Sequence, residues 1–189
     1  MIRIAVVGDI CSGKTYIAKQ FGYPVFNADE EVAKLYKKDR KCFNKLKKIL
    51  PEYISSFPIK KQEIIDAILS NKKNIKKITT IIHPKIRKIL NSFIKKNIKK
   101  KIVILDIPLL IENKINKKND IIIFVQAKKK EIYKRLKKRH EFNFRLIKEF
   151  QRIQLPLEIK RKRSNFIIKN NFKSNTIKKN VKIILKKIF

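Results

Sequence analysis

The chain has 189 residues, with 50 lysines and arginines against 15 aspartates and glutamates, so its formal net charge is +35. A hydrophobic fraction of 43% and a charged fraction of 34% are typical of a globular chain and exclude a disordered one. No stretch approaches the ~18 consecutive apolar residues of a membrane span, so we expect no membrane partner. Two cysteines make no disulfide framework, which predicts a reducing, cytoplasmic setting.

The positive charge by itself does not identify a nucleic-acid-binding protein. Only nine of the 50 basic residues are arginine, and the lysines are spread over nearly every segment together with isoleucine, asparagine and phenylalanine, which share AT-rich codons. The chain also lacks the alternation of aromatic and basic residues that single-strand binding surfaces use. We therefore attribute the charge to base composition and expect nonspecific adhesion to polyanions, with no specific nucleic-acid partner.

Apolar runs and helical patterns alternate along the chain. Short runs rich in isoleucine and valine predict strands at residues 2–7, 24–29, 101–108, 120–127 and 165–170. Helical spacing predicts helices at residues 14–21, 30–38, 129–139, 143–153 and 174–188. Residues 40 to 99 are predicted to be helical, with breaks at Pro51, Pro58 and Pro84. Strands that alternate with helices predict an α/β fold with a parallel sheet.

Residues 8–15, GDICSGKT, fit the phosphate-binding pattern G-x-x-x-x-G-K-[ST] and lie between a predicted strand and a predicted helix. The pattern predicts a loop whose backbone N–H groups approach phosphates more closely than side chains would allow. Lys14 is placed to reach the β- and γ-phosphates, and the Thr15 hydroxyl to ligate Mg²⁺. ATP and Mg²⁺ are the expected cofactors, held by a loop of Gly8, Asp9, Ile10, Cys11, Ser12 and Gly13.

Further blocks follow this loop in the order GYPVFNADEEVAKLY, HPKIR, DIPLLIEN, KRLKKR, QLPLEIK and FIIKN. In content and order they resemble the dephospho-CoA kinase family over nearly the whole chain, and HPKIR and DIPLLIE are not found in generic P-loop kinases. The resemblance implies a P-loop NTPase core at about 1–38 and 100–189, an inserted helical CoA-binding region at about 39–99, and a lid at about 128–152.

The implied reaction moves the γ-phosphoryl group of ATP to the ribose 3′-hydroxyl of dephospho-CoA. Two alternatives remain open at this point. Another small-molecule P-loop kinase would share the core but lack the DIPLLIE block. A nucleic-acid-dependent P-loop ATPase would need a basic groove rather than uniformly spread lysine.

Asp29 follows the second predicted strand, beside the phosphate loop in a parallel sheet, where it can orient or deprotonate an acceptor hydroxyl. It matches the second aspartate of the family's D-A-D motif, which implies the catalytic base. A carboxylate that favours the first turn of a helix is the alternative. Asn27 and Glu30 have the spacing of a helix cap, and for Asn27 we expect that role.

Asp106 ends an apolar strand, where P-loop enzymes hold a carboxylate near Mg²⁺ or its waters. A turn-forming aspartate before Ile107 and Pro108 explains the same position. The resemblance adds Asp106 and Leu109, both in the DIPLLIE block, to the substrate-binding residues.

The remaining candidates come from the resemblance. His83 and Arg87, on one helical face, are implied to contact the CoA substrate. Arg139, one turn after Arg135, is implied to close over the ATP phosphates or stack on the adenine, although a solvated helix face also accounts for both arginines. Asn170, at the end of the last predicted strand, is implied to contact the nucleotide.

Several residues depart from the family's pattern. Asp9 and Cys11 stand where the phosphate loop usually has glycines, and acidic residues are replaced at Asn27, His140, Asn165 and Lys169. We expect these departures to bear on turnover more than on the choice of substrate.

Overall fold

A computed structural model of the chain describes residues 1–138 and 143–189. In this part of the chain, five strands form one sheet: β1 (Ile2–Gly8), β2 (Val25–Asn27), β3 (Ile102–Asp106), β4 (Ile121–Ala127) and β5 (Phe166–Asn170). Their order across the sheet is β2-β3-β1-β4-β5, and every pairing is parallel. The predicted α/β fold with a parallel sheet is therefore confirmed.

The helices of the described residues flank this sheet. They are α1 (Lys14–Gln20), α2 (Ala28–Lys38), α3 (Arg40–Ile49), α4 (Lys61–Ser70), α5 (Lys73–Lys96), α6 (Lys129–Lys137), α7 (Phe144–Arg152), α8 (Leu157–Lys162) and α9 (Ser174–Ile188). None of them is both long enough and apolar enough to cross a bilayer.

Each central strand contributes to two apolar clusters, because successive side chains point to opposite faces of the sheet. In β1, Ile4 and Val6 pack with residues of α1 and α9, whereas Ala5 and Val7 pack on the other face with residues of α2 to α5. Burial on both faces explains why the strands read as continuous apolar runs.

Residues 39–99 contain α3, α4 and α5 and no strand. The predicted break at Pro84 is wrong, because α5 runs through Pro84 without interruption. A proline inside a helix removes one backbone hydrogen bond and crowds the preceding turn. The buried stripe of Ile75, Ile78, Ile82, Ile86 and Leu90 continues on both sides of that position, and its packing offsets the loss.

Candidate active site

The phosphate loop joins β1 to α1 at the carboxyl edge of the sheet, and its two glycines are required by close neighbours. Gly8 has a φ of +152°, and a Cβ there would lie 2.6 Å from the carbonyl oxygen of Val125. Gly13 has a φ of +93°, and a Cβ there would collide with the side-chain amide of Asn170. Any other residue at either position would displace the loop.

Asn170 braces this loop from the end of β5. Its Nδ2 donates a 2.7 Å hydrogen bond to the carbonyl oxygen of Ser12, and its Oδ1 accepts a 2.8 Å bond from the backbone N–H of Phe172. The side chain is buried, so the brace is shielded from water. The structure thus places Asn170 at the predicted nucleotide site, in contact with the loop backbone.

Asp9 and Cys11, which stand where the family usually has glycines, fit the loop in different ways. The Asp9 carboxylate accepts a 2.7 Å hydrogen bond from the backbone N–H of the next residue, Ile10. Cys11 has a φ of +60°, in the left-handed region that costs a residue with a Cβ about 1–2 kcal/mol. A glycine at position 11 would adopt the same backbone without that strain.

Lys14 lies folded over the loop. Its Nζ donates to the carbonyl oxygens of Asp9, at 2.7 Å, and Gly8, at 3.3 Å. Burial lowers the pKa of Lys14, and the positive charge of Lys160 lowers it further, while the charges of Asp106 and Asp29 oppose the shift. A bound phosphate would oppose this shift, because opposite charges stabilise each other most where water is excluded.

Thr15, Asp106 and Asn27 meet beside the loop. The Thr15 hydroxyl donates to Asp106 Oδ2 at 2.6 Å, and Asn27 Nδ2 donates to the same oxygen at 3.1 Å. Asp106 is only 3% exposed. Burial raises the pKa of its carboxyl, the Thr15 bond and the charge of Lys14 lower it, and the charge of Asp29 raises it further.

This hydroxyl and carboxylate match the donor set that Mg²⁺ takes in nucleotide sites, where one or two protein oxygens and the phosphates surround the ion. Within residues 1–138 and 143–189, no group of three or more His, Cys, Asp and Glu side chains is arranged to hold a metal without a nucleotide. The residues present therefore fit a magnesium ion that arrives with ATP.

Asp29 is the second residue of α2, in the first turn of that helix. The predicted cap is confirmed, because Asn27 Oδ1 accepts a 2.9 Å hydrogen bond from the backbone N–H of Glu30. The Asp29 side chain is exposed, and its charge acts on both Lys14 and Asp106. The structure thus brings Asp29 next to the phosphate loop at an accessible position.

The predicted CoA-binding residues His83 and Arg87 lie on α5, and Arg87 contacts the segment that follows β3. Arg87 Nη2 donates a 3.3 Å hydrogen bond to the carbonyl oxygen of Asn113, and the Asn113 N–H donates to the Leu109 carbonyl at 3.1 Å. His83 is partly buried, and burial, followed by the charge of Arg87, lowers its pKa. Arg87 is thus linked through Asn113 to Leu109, and its charge acts on His83 one turn earlier on α5.

The predicted lid arginines are only partly within the described residues. Arg139, together with the departure at His140, lies outside them. Arg135 is described, and its guanidinium carbon lies 4.6 Å from the ring centroid of Phe172. Phe172 in turn is close to Gly13, so the end of α6 stands near the phosphate loop.

Sequence reasoning assigned no role to two buried charges near the site. Lys160 is fully buried, and its Nζ lies 2.7 Å from Glu112 Oε1. Its charge reaches Lys14, as the lowered pKa of that lysine indicates after the larger effect of burial. Both residues belong to blocks that resemble the family, Glu112 to DIPLLIEN and Lys160 to QLPLEIK, so that resemblance was a sequence signal for them.

Comparison with known proteins identifies a family from the sequence and similar folds among solved structures. The sequence model of the family described as dephospho-CoA kinase matches residues 2–176. A dephospho-CoA kinase of Wolbachia pipientis wMel is 32% identical over 189 aligned residues, which cover 96% of this chain and 95% of that protein. Among solved structures, TT1252 from Thermus thermophilus gives a TM-score of 0.80 at 25% identity and covers 100% of this chain and 98% of its own. A dephospho-CoA kinase from Campylobacter jejuni gives 0.65 at 24% identity, with 98% and 96% covered, and has the same fold.

Proposed function

Because this chain belongs to the dephospho-CoA kinase family, we propose that its phosphate loop, Asp106 and Asp29 together transfer the γ-phosphoryl group of ATP to the ribose 3′-hydroxyl of dephospho-CoA. The observation that carries the assignment of roles is the 2.6 Å bond from Thr15 to the buried Asp106, next to Lys14. It joins a nucleotide-type phosphate site to the first residue of the DIPLLIE segment, which is the segment that distinguishes this family.

Charge stabilisation is the main task of the protein in phosphoryl transfer. The loop N–H groups and Lys14 would bind the phosphates, and Lys14 would leave the Gly8 and Asp9 carbonyls to do so. Thr15 and Asp106 would hold Mg²⁺, and Asn27 would keep the Asp106 carboxylate in position through its amide. When bound, Mg²⁺ neutralises charge on the phosphate oxygens.

Asp29 is the proposed base. It is exposed, and its charge acts on both Asp106 and Lys14. It can accept the proton of the incoming hydroxyl while the new oxygen–phosphorus bond forms and the bond from the γ-phosphorus to the leaving ADP breaks. Asp106 is the second candidate, because burial raises its pKa and brings it nearer to that of a useful base. The magnesium role suits Asp106 better, since its Oδ2 already bonds the Thr15 hydroxyl.

The same proposal assigns the outer parts of the molecule. Residues 39–99 would form the acceptor-binding region, with His83 and Arg87 toward the acceptor, and residues 128–152 would form the lid. Arg139 would act on the nucleotide from that lid. Both cysteines are free, which fits the reducing cytoplasm that we propose as the compartment.

The test is a coupled assay of ADP release with a panel of acceptors: dephospho-CoA, adenosine, AMP, shikimate and no acceptor. We expect ADP release to require dephospho-CoA, and the product to carry its new phosphate on the ribose 3′-oxygen by NMR. The Lys14→Ala variant, purified in the same way, controls for contaminating kinases. Equal or greater stimulation by another acceptor would overturn the assignment.

A further inference from the structure

The two buried ion pairs of the described residues lie at opposite ends of the strands. Lys160 and Glu112 meet at 2.7 Å with side-chain exposures of 1% and 9%, near the carboxyl edge that carries the site. Arg3 and Asp120 meet at 2.9 Å with exposures of 9% and 2%, at the second residue of β1 and directly before β4. They are therefore equally buried, and only the first is close to the proposed chemistry.

The Lys160–Glu112 pair ties together two segments that are far apart in sequence. Lys160 Nζ also donates a 3.0 Å hydrogen bond to Gln154 Oε1, and Glu112 Oε1 accepts a 3.0 Å bond from the backbone N–H of Leu155. Gln154 and Leu155 lie just beyond the proposed lid region, which ends at about residue 152. Glu112 closes the segment that begins at Asp106 and includes Leu109.

A buried pair of this kind is poorly explained by stability alone. Removing two charges from water carries a large desolvation penalty, and well-packed apolar residues often replace such pairs without loss of stability. In some proteins such a pair is retained because it fixes one arrangement of the groups that it connects. Here the connected groups are the end of the proposed lid and the acceptor side of the site.

We propose that Lys160 and Glu112 are positioning residues, which clamp residues 154–155 to the segment 106–112 and so hold the lid end in register with the acceptor side. The inference rests on the proposed function, because it concerns the alignment of the two reactants in phosphoryl transfer. The alignment of the two reactants affects the rate of the transfer step, and a misplacement of about 1 Å can lower that rate about 10²-fold. The clamp therefore predicts an effect on kcat and little effect on the binding of ATP alone.

The experiment compares two double variants that each replace a buried ion pair with a neutral one. Lys160→Met with Glu112→Gln removes the clamp, and Arg3→Met with Asp120→Asn is the matched control at the opposite edge. Both avoid leaving one buried charge without its partner, which is the change that destabilises most. Turnover is measured with saturating substrates at a temperature where thermal melts show both variants folded, and ATP affinity is measured by calorimetry without acceptor.

We expect the clamp variant to lose about tenfold or more in kcat, with ATP affinity within about threefold of wild type, and the control to keep at least about half of wild-type kcat. Equal kcat losses in the two double variants would overturn the clamp, since burial alone would then account for both pairs. A clamp variant with unchanged kcat would also overturn it. So would a tenfold loss of ATP affinity with unchanged kcat, which would make Lys160 a phosphate-binding cation.

The single variants Glu112→Gln and Lys160→Met complete the cycle. Two residues that act as one clamp give losses of kcat that do not add, so the double variant should be no slower than the slower single variant. Additive losses would contradict a shared role. Failure of wild type with dephospho-CoA would count against the proposed function only, and the same ratios are then measured with the acceptor that supports turnover.

Discussion

The phosphate side of the site and its proposed acceptor side are held in place by different interactions. On the phosphate side, Thr15 and Asn27 both donate short hydrogen bonds to the buried Asp106, so strand ends and helix starts are linked by polar contacts. On the acceptor side, α5 is fixed by an aliphatic stripe, and Arg87 reaches the rest of the site by a 3.3 Å bond to the Asn113 carbonyl.

This contrast predicts which kinetic constant each side should control. A polar network around a buried carboxylate holds groups where charge develops in the transition state, so its loss should lower kcat. Side chains carried on a packed helix add contacts that substrate and transition state share, so their loss should raise KM for the acceptor. The substitutions below test whether the two sides control different kinetic constants.

The largest effect is expected for Asp29→Asn. Asparagine suits the start of a helix about as well as aspartate, so the free energy of unfolding should change by less than about 1 kcal/mol. It cannot take a proton, however, and a general base contributes about 10²–10⁴-fold. We expect kcat to fall by about two orders of magnitude or more, with ATP affinity retained, as measured by steady-state kinetics and calorimetry.

Glu30→Gln is the matched control, because Glu30 is the next residue and lies in the same first turn of α2. It loses the same unit of charge from the same helix start, and its kcat should stay within about threefold of wild type. If Asp29→Asn keeps more than about a third of wild-type kcat, Asp29 is not the base and the role passes to Asp106.

A smaller effect on a different constant is expected for Arg87→Met. The change removes one guanidinium from the face of α5 that adjoins Asn113, and with it a charged hydrogen-bond donor for an anionic acceptor. KM for dephospho-CoA should rise about tenfold, with kcat and KM for ATP little changed. The measurement is a set of initial rates over both substrate concentrations.

Lys88→Met controls for the general field of a chain that carries a net charge of +35. Lys88 is the next residue of α5, it is also exposed, and its substitution removes the same charge without touching Asn113. An equal rise in KM in both variants would show that Arg87 acts only through the overall potential.

The sequence predicted the phosphate side more completely than the acceptor side. The loop motif, the strand before it and the helix after it predicted the positions of Lys14 and Thr15, because fixed backbone geometry follows from local pattern. The family, the fold and the kinase activity were confirmed by the comparisons. The roles of the individual residues, such as Asp29 as base, and the division into regions stay predictions.

What the sequence did not predict depends on contacts between distant segments. Nothing in local spacing indicates that Lys160 lies within 2.7 Å of Glu112, since 47 residues separate them and the contact exists only once α8 packs near β1. The continuation of α5 through Pro84 is similar, because the packing of a buried stripe overrode a local preference. Asn165, one of the departures from the family's pattern, turned out to bond the Ile122 backbone at the start of β4, away from the phosphate loop.

The smallest effect concerns the acceptor side and appears in the pH dependence of stability. Burial, and then the charge of Arg87, lowers the pKa of His83 from an ordinary value of about 6.5. The unfolded chain therefore binds more protons at this residue than the folded chain between the lowered pKa and about pH 6.5, and the free energy of unfolding rises with pH across that window. On acidification the contribution of His83 to stability falls below pH 6.5 and levels off once the folded state is protonated as well.

Urea melts of wild type and His83→Gln from pH 5 to 8 measure this contribution. The difference between their free energies of unfolding should be constant above about pH 7.5. Below pH 6.5 wild type should lose more stability than the variant, by less than the one-proton limit of about 1.4 kcal/mol per pH unit. Because every other titrating group is shared by the two proteins, parallel pH curves would mean that His83 is as solvated in the folded chain as in the unfolded one, which would contradict its partly buried position.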